Sequence, residues 1–268
     1  MRVWMWFCAL LVASAAQAYD IEEFLRDARA HHERHLTEMG GLTLDLTGLI
    51  TQPGHDAVEV AATYTMRGAQ WRADATVRNP GQTEGFPFVV LYDGQQTWAQ
   101  LLGMKLKVPR SDVDDRVRGY LYWEAPAAGS VVAGEETIGG HACWRIETPL
   151  RESDGSAVTM KSWYDKQHYV LVQSESSYDK KPVRMEFSDF RAVRGDYVIP
   201  HAMRAVQNDV QLVQAQIVAA RTGEIDGERF SAASLDGADF PDMNELMRTF
   251  KIFGKAFGNE VSKLLQSE

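Results

Sequence analysis

The side chains that could do chemistry begin with HHERH, at residues 31–35. A zinc-peptidase helix carries H-E-x-x-H, in which two histidines four apart share a face and the glutamate reaches the metal-bound water. Here the pair four apart is His31 and His35, and Glu33 lies on another side of the helix. The spacing predicts no metallopeptidase, and we expect the stretch to supply polar surface to a helix.

Two other groups are weak candidates for a site. Cys143 stands two residues from His141, but neighbours two apart on a strand share a face without forming a nucleophile and base pair. We expect Cys143 to be a buried, inert thiol. The acidic run SDVDDR, at residues 111–116, lacks the glycine and terminal glutamate of a calcium loop. The sequence predicts no catalytic residue, no metal ligand and no cofactor, and it favours a protein that is not an enzyme.

Residues 1–18 are typical of a secretion signal. Arg2 precedes a short apolar run, and Ala16 and Ala18 form a small-x-small cleavage site. The run is too short to cross a membrane. Removing it leaves 27 Lys and Arg against 37 Asp and Glu, a formal charge of −10. We therefore expect an exported, periplasmic chain whose acidic surface disfavours nucleic acid as a partner.

The chain between these candidates is organised as strands. Residues 20–39 predict a helix, with Asp20 as its cap and Gly40 as its end. Apolar residues then alternate with polar ones, and this period of two predicts strands at 42–46, 58–66, 71–77, 88–92, 97–102, 104–108, 142–148, 157–165, 169–178, 183–191, 197–207 and 212–221. The alternation lapses over 111–129, which predicts a short helix or a loop. We expect a mainly β (α+β) fold, a curved antiparallel sheet with a helix at each end of the chain.

The C-terminal residues predict a second amphipathic helix. Over 243–266, one apolar stripe contains Met243, Leu246, Met247, Phe250, Phe253, Phe257, Val261 and Leu264. A long antiparallel meander must curl into a barrel or a strongly bent sheet. Packing of this helix over the mouth of such a barrel is favoured over docking on a membrane, because its cationic face is thin and the protein is acidic.

Several short motifs resemble the outer-membrane lipoprotein-sorting protein family, which has the LolA/LolB-like fold. They are YDGQQTW at 92–98, AGEETIGGHACWRIE at 133–147, and Trp163-Tyr164-Asp165 through Ile199-Pro200. The likeness covers roughly residues 20–230. It implies an incomplete antiparallel half-barrel with an apolar cavity closed by helices. The division is then a signal at 1–18, a half-barrel domain at 19–230 and a helical C-terminal extension at 231–268.

The resemblance also implies a function. A member of this family would bind the acyl chains of a lipid or a lipoprotein and pass them on without covalent change, with an inner-membrane transporter or an outer-membrane acceptor as partner. Each CH₂ exposed to water costs about 0.8 kcal/mol, so such a carrier needs a continuous apolar cavity. The alternatives are a sensor or interaction domain of the same fold that regulates a membrane partner, and a hydrolase acting on envelope lipids.

The site residues follow from the same resemblance. The predicted cavity lining comprises Tyr64, Met66, Trp71, Phe88, Leu91, Trp98, Leu101, Met104, Leu106, Trp144, Met160, Tyr164, Met185 and Phe187. Sorting carriers use a strand arginine to bind the backbone of the lid, and Arg72, with Arg78 as the other candidate, is the nearest match. The predicted apolar face of the C-terminal helix comprises Leu246, Phe250, Phe253 and Phe257.

Overall fold

The structure is a computed structural model, and it describes residues 19–51, 57–101, 103–108, 125–151, 156–178 and 181–240. The predicted signal at 1–18 and the predicted C-terminal helix at 243–266 lie outside the described residues. Most of the segment at 111–129 lies outside them too, and its last residues, 125–129, have no helix or strand.

The N-terminal helix, α1, spans Ile21–Met39 and confirms the prediction for residues 20–39. Asp20 caps it, because its carboxylate accepts a hydrogen bond from the Glu23 backbone N–H at 2.8 Å. The Glu23 side chain in turn accepts from the Asp20 N–H, which completes a capping box. Gly40 ends the helix at φ 70°, a conformation that glycine adopts without strain. No helix among the described residues is long and apolar enough to cross a membrane.

In the part of the chain that the structure describes, fourteen strands and two 3₁₀ turns follow the helix. The strands are β1 (Leu42–Ile50), β2 (Val58–Arg67), β3 (Gln70–Arg78), β4 (Phe86–Tyr92), β5 (Thr97–Leu101), β6 (Met104–Val108), β7 (Val131–Ile138), β8 (His141–Arg151), β9 (Ala157–Asp165), β10 (Leu171–Tyr178), β11 (Lys181–Arg194), β12 (Tyr197–Gln207), β13 (Val210–Thr222) and β14 (Ala238–Phe240). The 3₁₀ turns are Gly227–Phe230 and Ala232–Ser234.

These fourteen described strands belong to one open sheet. Their order is β14-β6-β5-β4-β3-β2-β1-β13-β12-β11-β10-β9-β8-β7. Two antiparallel meanders, β1–β6 and β7–β13, are joined where β1 pairs with β13, and β14 adds to the edge parallel to β6. The two outermost strands, β14 and β7, do not pair with each other, so the sheet does not close. The predicted mainly β, antiparallel architecture is confirmed.

Helix α1 packs across one face of the curved sheet. One end of the helix packs in a cluster through Phe24 with Ile146 of β8, and the other end packs through Met39 in a cluster that extends from Tyr197 of β12 to Tyr92 of β4. Together the two clusters span strands β8 to β4, which are nine spacings apart in the sheet. A twisted sheet of this many strands curls, as the sequence predicted.

Two strands were not predicted. The edge strand β7 contains Gly134 and consecutive glutamates, which weaken the alternating pattern, and β14 is only three residues long. The sheet also continues beyond residue 230, the predicted end of the half-barrel domain, as far as Phe240.

Candidate functional site

The strand register sorts the side chains onto two faces of the sheet. Leu44, Tyr64 and Ala73 are aligned on neighbouring strands, and they pack in one cluster with Met39 of α1. Side chains aligned across strands point to the same side, and successive residues point to opposite sides. We call the side on which α1 packs the α1 face and the other side the outer face.

Helix α1 covers only one end of the α1 face, which we call the covered half. Two buried clusters fill it. The first joins Met39 to Leu42, Leu44, Tyr64, Met66, Trp71, Tyr92, Tyr197 and Ile199. The second joins Phe24 and Ala28 to Ile146 and Tyr164. Both clusters mix aromatic and aliphatic side chains, and most of their members are less than 5% exposed. The covered half is therefore an ordinary hydrophobic core.

The other end of the α1 face, which we call the open half, has no helix packed on it among the described residues. Its positions are Ile50, Val58, Val60, Val77, Phe86, Phe88, Leu101, Met104, Met185, Met203, Val213 and Ala215. All of them are apolar, and none belongs to the clusters under α1. Phe86, at its margin, is 40% exposed. The open half is a broad, continuous apolar surface without a charged side chain at these positions.

The outer face carries ion pairs opposite the apolar positions of the α1 face. Arg78 pairs with Glu59 at 2.7 Å, Arg221 pairs with Asp45 at 2.6 Å, and Arg204 pairs with Glu186. A hollow of about 810 Å³ on this face has a mixed lining, which includes the polar Gln173, Glu186 and Arg204 and the apolar Ile138, Val172 and Phe190. An apolar chain bound there would displace water from the polar groups without replacing their hydrogen bonds.

The register brings most of the predicted lining residues onto the α1 face. Five of them, Tyr64, Met66, Trp71, Trp144 and Tyr164, pack in the clusters of the covered half. Seven lie on the same face outside those clusters: Phe88, Leu101, Met104, Leu106, Met160, Met185 and Phe187. Whether they line a cavity for a ligand stays a prediction.

Two predicted lining residues, Leu91 and Trp98, lie on the outer face. They are paired with each other, and Leu91 is also aligned with Arg72. Leu91 is fully buried there, while the Trp98 indole N–H donates to the Asp93 carboxylate at 3.0 Å. The strand FVVLY is apolar at every position, so its sequence could not show which alternate residues face α1.

Arg72 holds a segment of the chain against the outer face. We call residues 225–240 the strap. The Arg72 guanidinium donates to the backbone oxygen of Arg229 at 3.1 Å and to the Ser234 hydroxyl at 2.7 Å. It also pairs with Asp74 at 2.7 Å, and Asp74 pairs with Arg229. Arg72 thus binds the backbone of a covering segment, but this segment lies on the side opposite α1. Control of a lid by Arg72 stays a prediction.

The sequence pattern did not predict that the strap packs against the sheet. Phe230 and Leu235 are 0% and 3% exposed, and Arg67 donates to the Ile225 backbone oxygen at 3.0 Å. The capping residues Asp226 and Ser231, each before a short turn, were the available sequence signal.

The expectation that HHERH supplies polar surface is wrong for two of its histidines. His32 and His35 are only 2% and 4% exposed, because they continue the buried stripe of Phe24, Ala28 and Met39 along α1. His32 Nε2 lies 3.2 Å from the Tyr169 backbone oxygen. His35 Nε2 lies 3.1 Å from the Asp196 carboxylate. Each ring is buried with a hydrogen-bonding partner, as buried polar groups require.

Burial also sets the protonation of this stretch. It lowers the pKa of His32 to about 3, and it lowers the pKa of His31 to about 4 with help from the neighbouring His35 and Arg34. Both rings are therefore neutral near pH 7. Among the described residues, no group of three or more His, Cys, Asp or Glu side chains is arranged to hold a metal ion.

The prediction for Cys143 is confirmed. Its side chain is fully buried on the outer face, in a cluster with Trp163 and Val172. Burial, together with the nearby Asp165, raises the pKa of the thiol to about 11. A thiol of this kind is protonated near neutral pH and is a poor nucleophile. His141, two residues away, lies 3.0 Å from the Asp165 carboxylate.

Comparison with known proteins identifies the fold. A scan against protein-family models and a search of curated proteins each found no match. Among solved structures, the chain is similar to a domain from Vibrio parahaemolyticus described as an outer membrane lipoprotein-sorting protein, with 12% identity and a TM-score of 0.56 over 79% of this chain and 96% of that one. It is also similar to a LolA superfamily protein from Nitrosomonas europaea, with 10% identity and a TM-score of 0.53 over 78% and 99% of the two chains. The chain has a LolA-like fold.

Proposed function

We propose that this protein is a periplasmic carrier that holds the acyl chains of a lipid or a lipoprotein against the α1 face and passes them on unchanged. The observation that carries the proposal is the open half. There, nine strands present apolar side chains in a continuous surface that α1 leaves uncovered. Soluble proteins rarely leave so large an apolar surface without a ligand or a partner to cover it.

The energetics favour an acyl chain over a smaller apolar ligand. Burial of each CH₂ contributes about 0.8 kcal/mol, so a chain of about sixteen carbons gains on the order of 10 kcal/mol when it leaves water. The methionines at positions 104, 185 and 203 help here, because their flexible side chains adapt to a mobile chain. Such a ligand needs a long apolar surface and no reactive group.

The chemistry of the open half is consistent with transport and not with catalysis. Its positions hold valine, isoleucine, leucine, methionine, phenylalanine and alanine, so it offers no nucleophile or acid–base pair to a bound lipid. Cys143 lies on the outer face with a raised pKa. A hydrolase on this fold would need groups that this surface does not carry.

The fold neighbours support the same class of function. One of them is described as an outer membrane lipoprotein-sorting protein domain, and the other belongs to the LolA superfamily. Transfer of a lipoprotein requires a donor and an acceptor, so an inner-membrane transporter and an outer-membrane acceptor are the partners that this proposal implies. The secretion signal predicted at 1–18 is consistent with a periplasmic location.

The test uses two neighbouring residues of β2 that point to opposite faces. Val60 lies in the open half, and Ala61 is exposed on the outer face. A fluorescent fatty acid titrated into the mature chain should bind, and Val60→Glu should weaken binding at least about tenfold, because a carboxylate would be desolvated by the ligand. Ala61→Glu is the matched control and should bind like the parent. Equal affinity of all three proteins, or no binding to the parent, would refute the proposal.

A further inference from the structure

We propose that the outer face carries a binding trough for a neutral, linear oligosaccharide. The trough crosses seven strands, from β10 to β3, on the side of the sheet opposite α1. The inference does not rest on the proposed acyl function, which concerns the other face. It follows from the shape of two adjoining hollows, from the strand register that forms them, and from the chemistry of their lining.

Two hollows on the outer face join into this trough. The larger, of about 810 Å³, lies mainly over β10, β11, β12 and β13, and the smaller, of about 410 Å³, lies over β13, β1, β2 and β3. Gln214 and Gln216 of β13 line both hollows, so the two meet there. Each hollow has a size that accommodates small ligands, roughly 300–1,000 Å³. Together they form one elongated depression.

The strand register explains the shape of the trough. One row of aligned positions contains long polar side chains: Gln173, Glu186, Arg204, Gln214, Glu59 and Arg78, with Leu49 between Gln214 and Glu59. The next row on the same face contains mostly short ones: Ser188, Ala202, Gln216, Thr47 and Ala61. Because side chains stand roughly perpendicular to a sheet, short residues beside long ones leave a channel across the strands. From β10 to β3 this channel follows six strand spacings, about 29 Å.

The charged groups of the lining are already paired with other protein groups. The pairs are Glu186 with Arg204 and Arg184, Glu59 with Arg78, Asp189 with Arg191, and His141 with Asp165. A charged polymer such as a nucleic acid would have to compete with these pairs, and the lining presents no excess of one sign to attract it. The trough therefore favours an uncharged ligand.

The other polar groups of the lining are amides and hydroxyls. Gln214, Gln216, Thr47 and Ser188 are exposed, and each of these side chains can both donate and accept a hydrogen bond. Sugar hydroxyls have the same double capacity, so they can replace the water on these groups without leaving a donor or an acceptor unpaired. In the larger hollow, Phe190 offers an apolar contact to the C–H face of a sugar ring.

A peptide and a lipid fit the trough less well than a glycan does. Extended peptides bind sheets by adding a strand to an open edge, where backbone groups are unpaired. The trough lies in the middle of the sheet, where each strand from β10 to β3 pairs on both sides. A lipid would need a continuous apolar surface, which this mixed lining does not provide. The occupant is thus a free glycan chain, which an exported protein would meet in the cell envelope.

The first experiment measures affinity and locates the site. Chitohexaose, cellohexaose and maltohexaose are titrated into the mature full-length chain by calorimetry, beside a blocked Ala-Gln hexapeptide. We expect a hexasaccharide to bind. The double variant Gln214→Leu with Gln216→Leu should bind it at least about tenfold more weakly, because both hollows lose their shared amides. The control Gln100→Leu changes an outer-face glutamine of β5 that lines neither hollow, and it should bind like the parent.

Two outcomes of this titration would overturn the inference outright: no binding of any hexasaccharide, and equal affinity of the parent and the double variant. Binding of the hexapeptide in place of the sugars would overturn it in favour of a peptide site.

The second experiment tests whether the two hollows act as one trough. Ala61 is exposed in the smaller hollow, so Ala61→Trp should fill the channel there and weaken hexasaccharide binding about tenfold. Ala61→Ser keeps a short side chain at the same position and should bind like the parent. A disaccharide of the same sugar should bind the parent at least about tenfold more weakly than the hexasaccharide, because it crosses fewer strands. Equal affinities for the two sugars, or for Ala61→Trp and the parent, would contradict a continuous trough.

Discussion

The covered and open halves of the α1 face are built from the same strands with the same alternation, yet one is core and the other is a candidate binding surface. In β2, Tyr64 and Met66 lie under α1 and are 2% and 3% exposed, while Val58 and Val60, further along the same strand, are only partly buried. The difference is supplied by α1, which reaches one end of the sheet. Alternation of apolar and polar residues along a strand thus indicates which side of the strand is apolar. It does not indicate what covers that side.

The largest expected effect is on the free energy of unfolding, and it should differ between substitutions in the two halves. Trp71 is 2% exposed in the covered half, so Trp71→Ala should lower the free energy of unfolding by about 3–5 kcal/mol. Phe88 is only partly buried in the open half, and Phe88→Ala should cost less than about half as much while weakening acyl binding. Urea denaturation of both variants measures the stability, and fatty acid titration measures the binding.

If Phe88→Ala proves as destabilising as Trp71→Ala and leaves binding intact, the open half is core as well. The distinction between the two halves would then have no functional meaning.

Acidification should lower the free energy of unfolding by a somewhat smaller amount. The loss comes from a histidine of α1, the helix that buries the covered half. Because the pKa of His32 is lowered to about 3 in the fold, the unfolded chain takes up this proton near pH 6.5 and the folded chain does not. Stability should therefore be full above about pH 7 and should fall steadily towards about pH 3, by a few kcal/mol in all. His31 adds to the same trend over a narrower range, because its pKa is lowered to about 4.

Urea midpoints measured across this pH range test the idea. The variant His32→Gln keeps an N–H that can donate to the Tyr169 backbone oxygen but cannot titrate. Its stability should vary less with pH than that of the parent. A pH profile identical to the parent's would mean that burial of His32 under α1 does not control the acid response.

The smallest effect should come from the outer face. Replacing Arg72 by Met keeps most of the side-chain volume and removes the hydrogen bonds to Arg229 and Ser234. We expect a loss of about 1–2 kcal/mol in stability and faster proteolysis of the strap, with acyl binding unchanged. Limited proteolysis followed by mass spectrometry locates the cut.

A weaker ligand affinity in Arg72→Met, with the strap still protected from proteolysis, would contradict this assignment. It would indicate that Arg72 acts on the α1 face in spite of its position, as the family resemblance suggested.

Much of the fold follows from local sequence patterns. Asp20 and Gly40 mark the ends of α1, and most of the strands lie where apolar residues alternate. These signals are local, because a cap or an alternation depends on residues a few positions apart. Strand β7 escaped prediction because glycine and glutamate interrupt its pattern, and β14 because three residues are too few to show one.

The candidate site was less predictable, for physical reasons that particular residues show. In FVVLY both faces of the strand are apolar, so only pairing with Arg72 places Leu91 on the outer face. His32 and His35 look like solvated side chains in sequence, and only their contacts with Tyr169 and Asp196 show how a histidine can be buried. Both contacts join residues more than a hundred positions apart.

The sequence by itself determined the class of the protein: a capped helix, a long series of antiparallel strands with one apolar side, an acidic composition and no catalytic motif. The tertiary structure alone decided which apolar residues become core under α1 and which ones α1 leaves uncovered. It did so because coverage depends on where α1 lies across a bent sheet. That position is set by contacts between segments distant in the chain, which no local pattern records.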